Sequence, residues 1–578
     1  MNQLSVGVCV GSILLVASSR AQSRITLASA TNSGAPPNYE SLGAPISGNG
    51  RFALFSSNAS NLVAGDTNNR SDLFVRDLLL GVTERVNTYS NGAESPAGSY
   101  FGSDISADGR FVAFTSDDAA FAAGAVPGVS NVFVKDRATG AVVLASRNSA
   151  GAGANAGSWW PAMSDDGSKI AFVSDATNLA PGDDGLFHDV FVHDLASGVT
   201  MRVSVDSSGI AANDDSFAPQ ISSNGLFVVF ESPASNLVGG DTNTGSGLNL
   251  EGYDVFVHDL ANGTTERASV RTGGAQAQSG SYGASISADG RLVCFASRAP
   301  DLVPGDLNDR ADVFVRDRLL GTTELVSLGV GGVQTTERAN NGEISADGNV
   351  VLFTTIASNL VPNDPNIERD VYVRDLARGT TALVSQLLDG TGVDSGCYNF
   401  SISSDGRFIS FETRTNAFPG PNSWGKDVFV ADRGPSPPLV YCTAKVNSLG
   451  CLPAIGVTGV ASASEPSGCV IHAVHWREAR PLQLVYGVSG PNAAPFHGGT
   501  LCVRSPLRRL ALRQSSGSSS TGCAGTTSDD FNAVIAAGLD PALAAGQHAW
   551  CQYIGRDDAG LPGFAYTTSD AVELVIEP

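Results

Sequence analysis

Ile105-Ser106-Ala107-Asp108-Gly109-Arg110-Phe111-Val112-Ala113-Phe114-Thr115-Ser116 is one copy of a phrase that recurs along most of this chain. Its opening reads Ile-Ser-x-Asp/Asn-Gly-Arg in the fullest form. Copies begin at Ile46, Ile105, Met163, Ile221, Ile286, Ile344 and Ile402, at intervals of 59, 58, 58, 65, 58 and 58 residues. A second phrase, Asp-Val-Phe-Val-x-Asp, follows each copy, at Asp72–Asp77, Asn131–Asp136, Asp189–Asp194, Asp254–Asp259, Asp312–Asp317, Asp370–Asp375 and Asp427–Asp432. Self-similarity at a fixed period marks a repeat architecture and takes precedence over local readings.

The fifth copy shows what one repeat builds. Ser285–Ser287 reads as a short strand and Ala288-Asp289-Gly290-Arg291 as a tight turn. Leu292–Ala296 is a second strand, and Ala299–Asp309 is a polar loop broken by Pro304-Gly305. In Asp312–Arg316 the side chains of Val313 and Val315 share one face and Phe314 the other, the period of a strand. A turn at Asp317–Gly321 leads to a fourth strand, Thr322–Ser327. Four short antiparallel strands joined by Asp/Gly turns describe a propeller blade, so seven copies predict an all-β, seven-bladed β-propeller. The seventh copy stops at Asp432-Arg433-Gly434, short of its fourth strand. Arg24-Ile25-Thr26-Leu27-Ala28-Ser29 matches fourth-strand phrases such as Met201-Arg202-Val203-Ser204. The N-terminal strand is therefore expected to complete blade seven and close the ring, which removes exposed strand edges.

On these phrases, residues 24–434 resemble the WD40-like PD40 repeats of TolB-type propellers. That resemblance implies a partner-binding scaffold, or a non-catalytic domain of the kind attached to peptidases. The blades here are longer than the family's usual ones. The extra length lies in the loops between strands two and three and between strand four and the next blade.

Bulk composition fits. With 578 residues the chain exceeds one core, and 16 % charged residues with 66 glycines suit a turn-rich β protein. Net charge is −22, of which residues 1–434 carry −20 (47 acidic, 27 basic) and residues 435–578 carry −2 (10 acidic, 8 basic). An acidic surface repels phosphate backbones and excludes nucleic acid as a partner. Residues 1–21 read as a secretory signal peptide, with an apolar Leu4–Ala17 too short to span a bilayer and small residues at Ser19 and Ala21. The reading is of an exported, monomeric protein with no transmembrane span, secreted or held at the cell surface or in the periplasm. The domains expected are the leader 1–21, the propeller 22–434, a Pro-rich linker 435–440 and a cysteine-rich β domain 441–578.

That last domain holds Cys442, Cys451, Cys469, Cys502, Cys523 and Cys551. Six cysteines in an exported module predict three disulfides, with the pairing open. Strands are expected over Val470–Trp476, Leu482–Tyr486 and Ala571–Ile576, a helix over Ser528–Ala537 with Ser528 as its N-cap, and a sandwich-like fold. The segments Tyr441–Lys445 and Gly498–Val503 resemble an uncharacterised C-terminal module of exported bacterial proteins, which implies no activity.

Two features of the long-loop face could carry function. The first is an acidic loop, Asp-x-Asn-x-x-x-Asp: Asp66, Asn68 and Asp72; Asp306, Asn308 and Asp312; Asp364, Asn366 and Asp370. Three oxygen side chains in one loop suit Ca²⁺, and the plainer reading is that Asp and Asn cap their own turns. The second is a set of aromatics four residues ahead of the repeat start, Phe101, Trp159, Phe217, Tyr282 and Tyr398, with Trp160 beside one of them. They suit stacking on a sugar or clamping a peptide, or else wedge between blades as packing. The aspartates that end the third strand read as turn formers, and His193 and His258 as exposed strand residues. No nucleophile elbow, zinc-protease helix motif, phosphate loop or dinucleotide fingerprint occurs. Two functions remain: a non-catalytic propeller binding an extracellular protein or glycan on its long-loop face, with or without calcium, or a polysaccharide hydrolase or lyase using aspartates of that face.

Overall fold

The computed structural model describes residues 24–99, 102–182, 185–243, 251–362, 364, 366–386, 392–418 and 425–434 of the repeat region. Beyond it, residues 439–441, 453–458, 460–464, 467–476, 480–488, 491–496, 499–503, 507–516, 525–538, 540–544, 547–556 and 566–576 are described. The leader 1–21 therefore lies outside the described residues, as do Cys442, Cys451, Cys523 and the side chain of Cys502. The chain divides into two compact units, Met1–Gly434 and Pro435–Pro578.

The first unit is a propeller of seven four-stranded antiparallel sheets, one per repeat. Blade 3 is representative, with strands Ser158–Met163, Lys169–Ser174, Asp189–Asp194 and Thr200–Arg202 in that order from the inside outward. Blade 7 takes its outer strand from Arg24–Leu27, which pairs antiparallel with Asp427–Asp432 from Arg24 opposite Asp432 to Leu27 opposite Phe429. The closing strand expected from the sequence is thus in place. Antiparallel pairing puts the loops between strands two and three, and between strand four and the next blade, at one face. The tight turns occupy the other.

The recurring phrase is explained atom by atom in blade 2. The Ser106 hydroxyl donates to Asp108 (2.7 Å) and accepts the Phe111 amide (2.9 Å), while Asp108 accepts the Arg110 amide (2.9 Å). Gly109 has φ +75°, and a Cβ there would lie 2.1 Å from the Phe52 ring of the preceding blade. The Arg110 guanidinium reaches Asp136 at the end of the third strand (2.8 Å). Arg51–Asp77, Arg291–Asp317 and Arg407–Asp432 repeat the pair. The same aspartates accept turn amides, as Asp77 does from Leu79 and Leu80 (both 3.0 Å). The arginine lowers the carboxylate in return, and Asp136 is held down at about 2 chiefly by Arg110.

Blades are tied by side chains at the fifth position of the third strand. Arg76 donates to the Thr31 carbonyl (2.8 Å) and Lys135 to the Thr88 carbonyl (3.1 Å) of the preceding blade's outer segment. His193 and His258 occupy the same register. Against expectation they are buried. Thr200 gives its hydroxyl proton to the Arg147 carbonyl, so His193 Nδ1 donates to Thr200 Oγ1 (2.7 Å) and its Nε2 accepts from Arg147 Nε (3.2 Å). Burial, then the Arg147 charge, lowers this imidazole to about 4, so it stays neutral. These histidines fill the role of the arginines rather than facing water.

The second unit packs a sheet containing Pro481–Gly487, His548–Arg556 and Tyr566–Val575 against a three-stranded sheet containing Val470–Trp476. One core joins Ile471, Trp476, Leu484, Tyr553 and Leu574, the sandwich-like arrangement expected. The helix is shorter than the sequence suggested, Phe531–Ala536, with Asp530 as N-cap accepting the Ala533 amide (3.3 Å). Ser528 instead ends in the strand Gly525–Asp530, where Asp529 is held by Arg513 and the Tyr553 hydroxyl. Cys469 and Cys551, the two of the six cysteines with described side chains, are buried thiols in this core.

Candidate functional site

The residue three places before each repeat start has positive φ in all seven blades: Gly43, Gly102, Trp160, Ala218, Gly283, Asn341 and Asn399. The pairing of the inner strand with its neighbour shifts register here in blades 3 to 7. This is a bulge, which re-aims side chains and accompanies functional sites. The ring of bulges lines a central cavity of about 520 Å³, to which Gly43, Gly102, Gly283, Asn341 and Asn399 contribute. Two second-strand glutamates brace it: Glu231 accepts the Gly283 amide (2.6 Å), and Glu412 accepts the Gly43 amide and Asn399 Nδ2 (2.7 Å). A tryptophan in this conformation, φ 53° at Trp160, is a true outlier.

The sequence-predicted aromatics split here. Trp159, Trp160 and Phe217 come together: the two indoles lie 6.4 Å apart edge-on, and Trp160 is 6.2 Å from Phe217. His188, not singled out from the sequence, completes the cluster at 5.6 Å from Trp159 and 5.0 Å from Phe217. It is fixed by Asp175 through Nδ1 and by Asp215, which accepts its amide (2.9 Å). Trp160 is 41 % exposed, and its indole edge would meet a Cβ at Gly102 on the cavity wall (3.2 Å). Tyr282 stands apart, its hydroxyl donating to Asn340 (3.0 Å). Tyr398 is faced by two cations, Lys426 Nζ at 4.0 Å and Arg369 at 5.4 Å. Phe101 lies outside the described residues.

Asp104 and Glu343 also line the cavity. Asp104 accepts the Met163 amide (2.7 Å), and Glu343 accepts the Ile402 amide (3.1 Å) and the Ser401 hydroxyl (3.2 Å), each from the next blade's inner strand. Desolvation pushes both carboxyls up to about 7, with the Asp104 charge adding to Glu343. They hold blades together at the wall, as does Glu231, which desolvation also raises to about 7.

The acidic loops repeat one geometry with different neighbours. Asn68, Asn308 and Asn366 turn their oxygens to backbone amides of Arg70, Arg310 and Glu368 (2.8, 2.9 and 2.7 Å). Their nitrogens donate to the carbonyls of Ser95, Thr335 and Val393 (each 2.9 Å). The asparagines are turn formers, and only the aspartates present oxygens inward. In blade 1, Asp66, Asp72 and Glu94 have carboxylate oxygens within 4.8 Å of one another. Arg85 sits among them, at 3.6, 3.1 and 2.5 Å. Burial raises Asp66 and Asp312 to about 6 and Asp370 to about 7.

Among the described residues no helix is long and apolar enough to cross a membrane. No protein-family profile matches the chain, and no curated protein does. Solved structures do match. An oligogalacturonate lyase from Vibrio parahaemolyticus is 12 % identical, covers 72 % of this chain and 94 % of its own, and has TM-score 0.40. The β-propeller domain of the Trilobed protease from Pyrococcus furiosus, described as having an open velcro topology, is 12 % identical over 68 % and 95 % of the chains, TM-score 0.40. A putative TolB from Agrobacterium tumefaciens is 18 % identical over 54 % and 87 %, TM-score 0.32. The neighbours are thus TolB-type and other propellers, in keeping with the resemblance read from the repeat phrases, and at these identities the likeness is one of fold.

Proposed function

We propose that this protein is an exported, non-catalytic binding propeller that takes a glycan on its long-loop face, at the rim of the central cavity. The observation that carries this reading is Trp160. A large apolar side chain is held exposed, in a backbone conformation that disfavours it, beside Trp159, Phe217 and His188. Packing alone does not call for that. Aromatic faces stack on the apolar faces of sugar rings, and Asp175 and Asp215 supply hydrogen-bond acceptors at the edge of the cluster. The test is a glycan array with the purified protein, followed by calorimetry on any hit with wild type and Trp159→Ala/Trp160→Ala. Binding lost in a stably folded double variant supports the reading. A glycan-blind protein that captures a peptide through the same residues would replace the glycan with a protein partner.

A second reading has its own observation. Asp104 and Glu343, which line the same cavity from blades 2 and 6 and are both raised to about 7, have the protonation range of a general acid or base. Their bonds to backbone amides of the next blade favour a bracing role. Polysaccharide cleavage that disappears in Glu343→Gln without loss of stability would reverse the preference.

A further inference from the structure

The start of the third strand carries an aspartate in six blades, and its two oxygens have separate duties. In blades 3 to 6, Oδ1 of Asp189, Asp254, Asp312 and Asp370 accepts a serine hydroxyl from the outer segment of the same blade, at 2.5, 2.6, 2.5 and 2.5 Å. In blade 1 Asn87 serves Asp72 in the same way (2.7 Å). Oδ2 receives what the blade places opposite. In blades 1, 3 and 4 it receives a guanidinium: Arg85 on Asp72 (3.1 Å), Arg202 on Asp189 (3.1 Å) and Arg267 on Asp254 (2.9 Å). Each arginine faces the central aromatic of the third strand from the fourth.

Three blades break the pattern, and one keeps the balance by losing both partners. Blade 2 has Leu144 at the arginine register and Asn131 at the aspartate, so neither charge is present. Blades 5, 6 and 7 have Leu325, Leu383 and Leu27 there but retain their aspartates, Asp427 of blade 7 accepting the Ser29 hydroxyl (3.2 Å). In blade 5 the Gln334 amide fills the gap, donating to Asp306 (2.8 Å) and to Asp312 Oδ2 (3.1 Å). Asp306 Oδ2 alone is left without a donor. In blade 6 the residue at the Gln334 register is Gly392, which has no side chain. Asp364 is met by the hydroxyl of Tyr372, the one tyrosine at a register that is phenylalanine in the other blades. Among the described residues Asp370 Oδ2 has no hydrogen-bond donor, although Asp370 is fully buried.

We infer that blade 6 binds a divalent cation, of the hardness of Ca²⁺, between Asp364 and Asp370, in the place that arginine fills in blades 1, 3 and 4. A buried, unpaired carboxylate beside a second one is costly, and the same fold solves that problem three times with a positive charge. Oxygen-only donors select a hard cation, with water completing the shell. A Cβ at Gly392 would lie 3.0 Å from Asn366 Nδ2, 3.5 Å from Leu383 Cδ2 and 3.6 Å from Asp364 Oδ1, so no side chain from this register reaches the carboxylates. This inference is independent of the glycan reading.

The experiment is calorimetric titration of CaCl₂ into chelator-treated mature protein, with thermal unfolding in parallel. Wild type is expected to bind one equivalent in the sub-millimolar range and to gain on the order of 5 °C in Tm at saturating Ca²⁺. Asp370→Asn, which reproduces the Asn131 of blade 2, is expected to fold and to lose both effects. Leu383→Arg, which restores the arginine of the other blades, is expected to lose Ca²⁺ binding as well. Should Leu383→Arg not fold, Asp364→Asn takes its place. No heat and no shift in wild type would overturn the site and leave Asp370 protonated. Binding unchanged in Asp370→Asn would move the ion elsewhere and overturn it equally.

Discussion

The two faces of the propeller are built on the same seven-fold backbone and differ in what they keep constant. On the tight-turn face the serine, aspartate, glycine and arginine of the repeat phrase make nearly the same bonds in blade after blade. On the long-loop face the backbone repeats, down to the left-handed residue three places before each repeat start, but the side chains do not. Blades 3 and 4 place aromatics and a histidine there, and blade 6 lacks the arginine that blades 1, 3 and 4 set on the aspartate of the third strand. Uniformity across repeats is the mark of a folding requirement, and departure from it on a constant backbone points to function.

The largest effect should come from breaking the ring. Removal of residues 24–30 takes away the outer strand of blade 7 and the Ser29 hydroxyl bonded to Asp427 (3.2 Å). An exposed edge replaces closure, and Tm is expected to fall by on the order of 10 °C or more. An unchanged melt would show that the first strand is dispensable.

Next comes the constant face. Gly109→Ala drives a Cβ into the Phe52 ring at 2.1 Å and forces φ +75° on a residue with a side chain. Together these should cost about 3 kcal/mol. Gly92 has φ +81° with nothing within 4 Å, so Gly92→Ala should cost about 1 kcal/mol. Equal losses in urea titrations would mean that the inter-blade contact yields easily.

What could be read from the sequence follows the same division. The Ser-x-Asp-Gly-Arg phrase is local and repeated, so blade number, turn positions and the closing strand were all legible. The bulge was not, because Trp160, Ala218, Asn341 and Asn399 share no chemistry. Only the glycines at 43, 102 and 283 hint at it. The burial of His193 was hidden because its partner Thr200 lies across a turn and Arg147 comes from the preceding blade. The Asp-x-Asn-x-x-x-Asp loops looked alike because the residue that distinguishes them, arginine or leucine, lies 13 positions beyond the last aspartate in another strand. In the second unit, Asp530 outcompeted Ser528 as helix cap because the strand before it runs on to that residue.

Trp160 tests the variable face with a smaller effect on folding. Trp160→Gly suits the left-handed bulge, as Gly102 and Gly283 do in other blades. Relief of strain and the added backbone entropy oppose one another, so stability should stay within about 1 kcal/mol of wild type. Glycan affinity should fall at least about tenfold, the loss of one stacking contact. A strong loss of stability would make the indole a packing residue after all.

The smallest effect, and the one that probes the cavity, is pH-dependent. Glu343 has its carboxyl raised from 4.5 to about 7, first by desolvation. Below pH 4.5 the group is protonated in both folded and unfolded chains, and its contribution is fully present. As pH rises from 4.5 toward 7 the unfolded chain releases the proton and the folded one retains it, so stability is lost over that window. Glutamine accepts the same Ile402 amide through its carbonyl and has no proton to lose. The Tm of Glu343→Gln should therefore equal that of wild type near pH 4 and exceed it by a growing margin up to pH 7. A margin that does not change with pH would mean that cavity water solvates the carboxylate. In that case Glu343 would titrate as an ordinary acid, and the acid–base reading of the cavity would lose its basis, leaving the aromatic rim as the part of this face that departs from structural need.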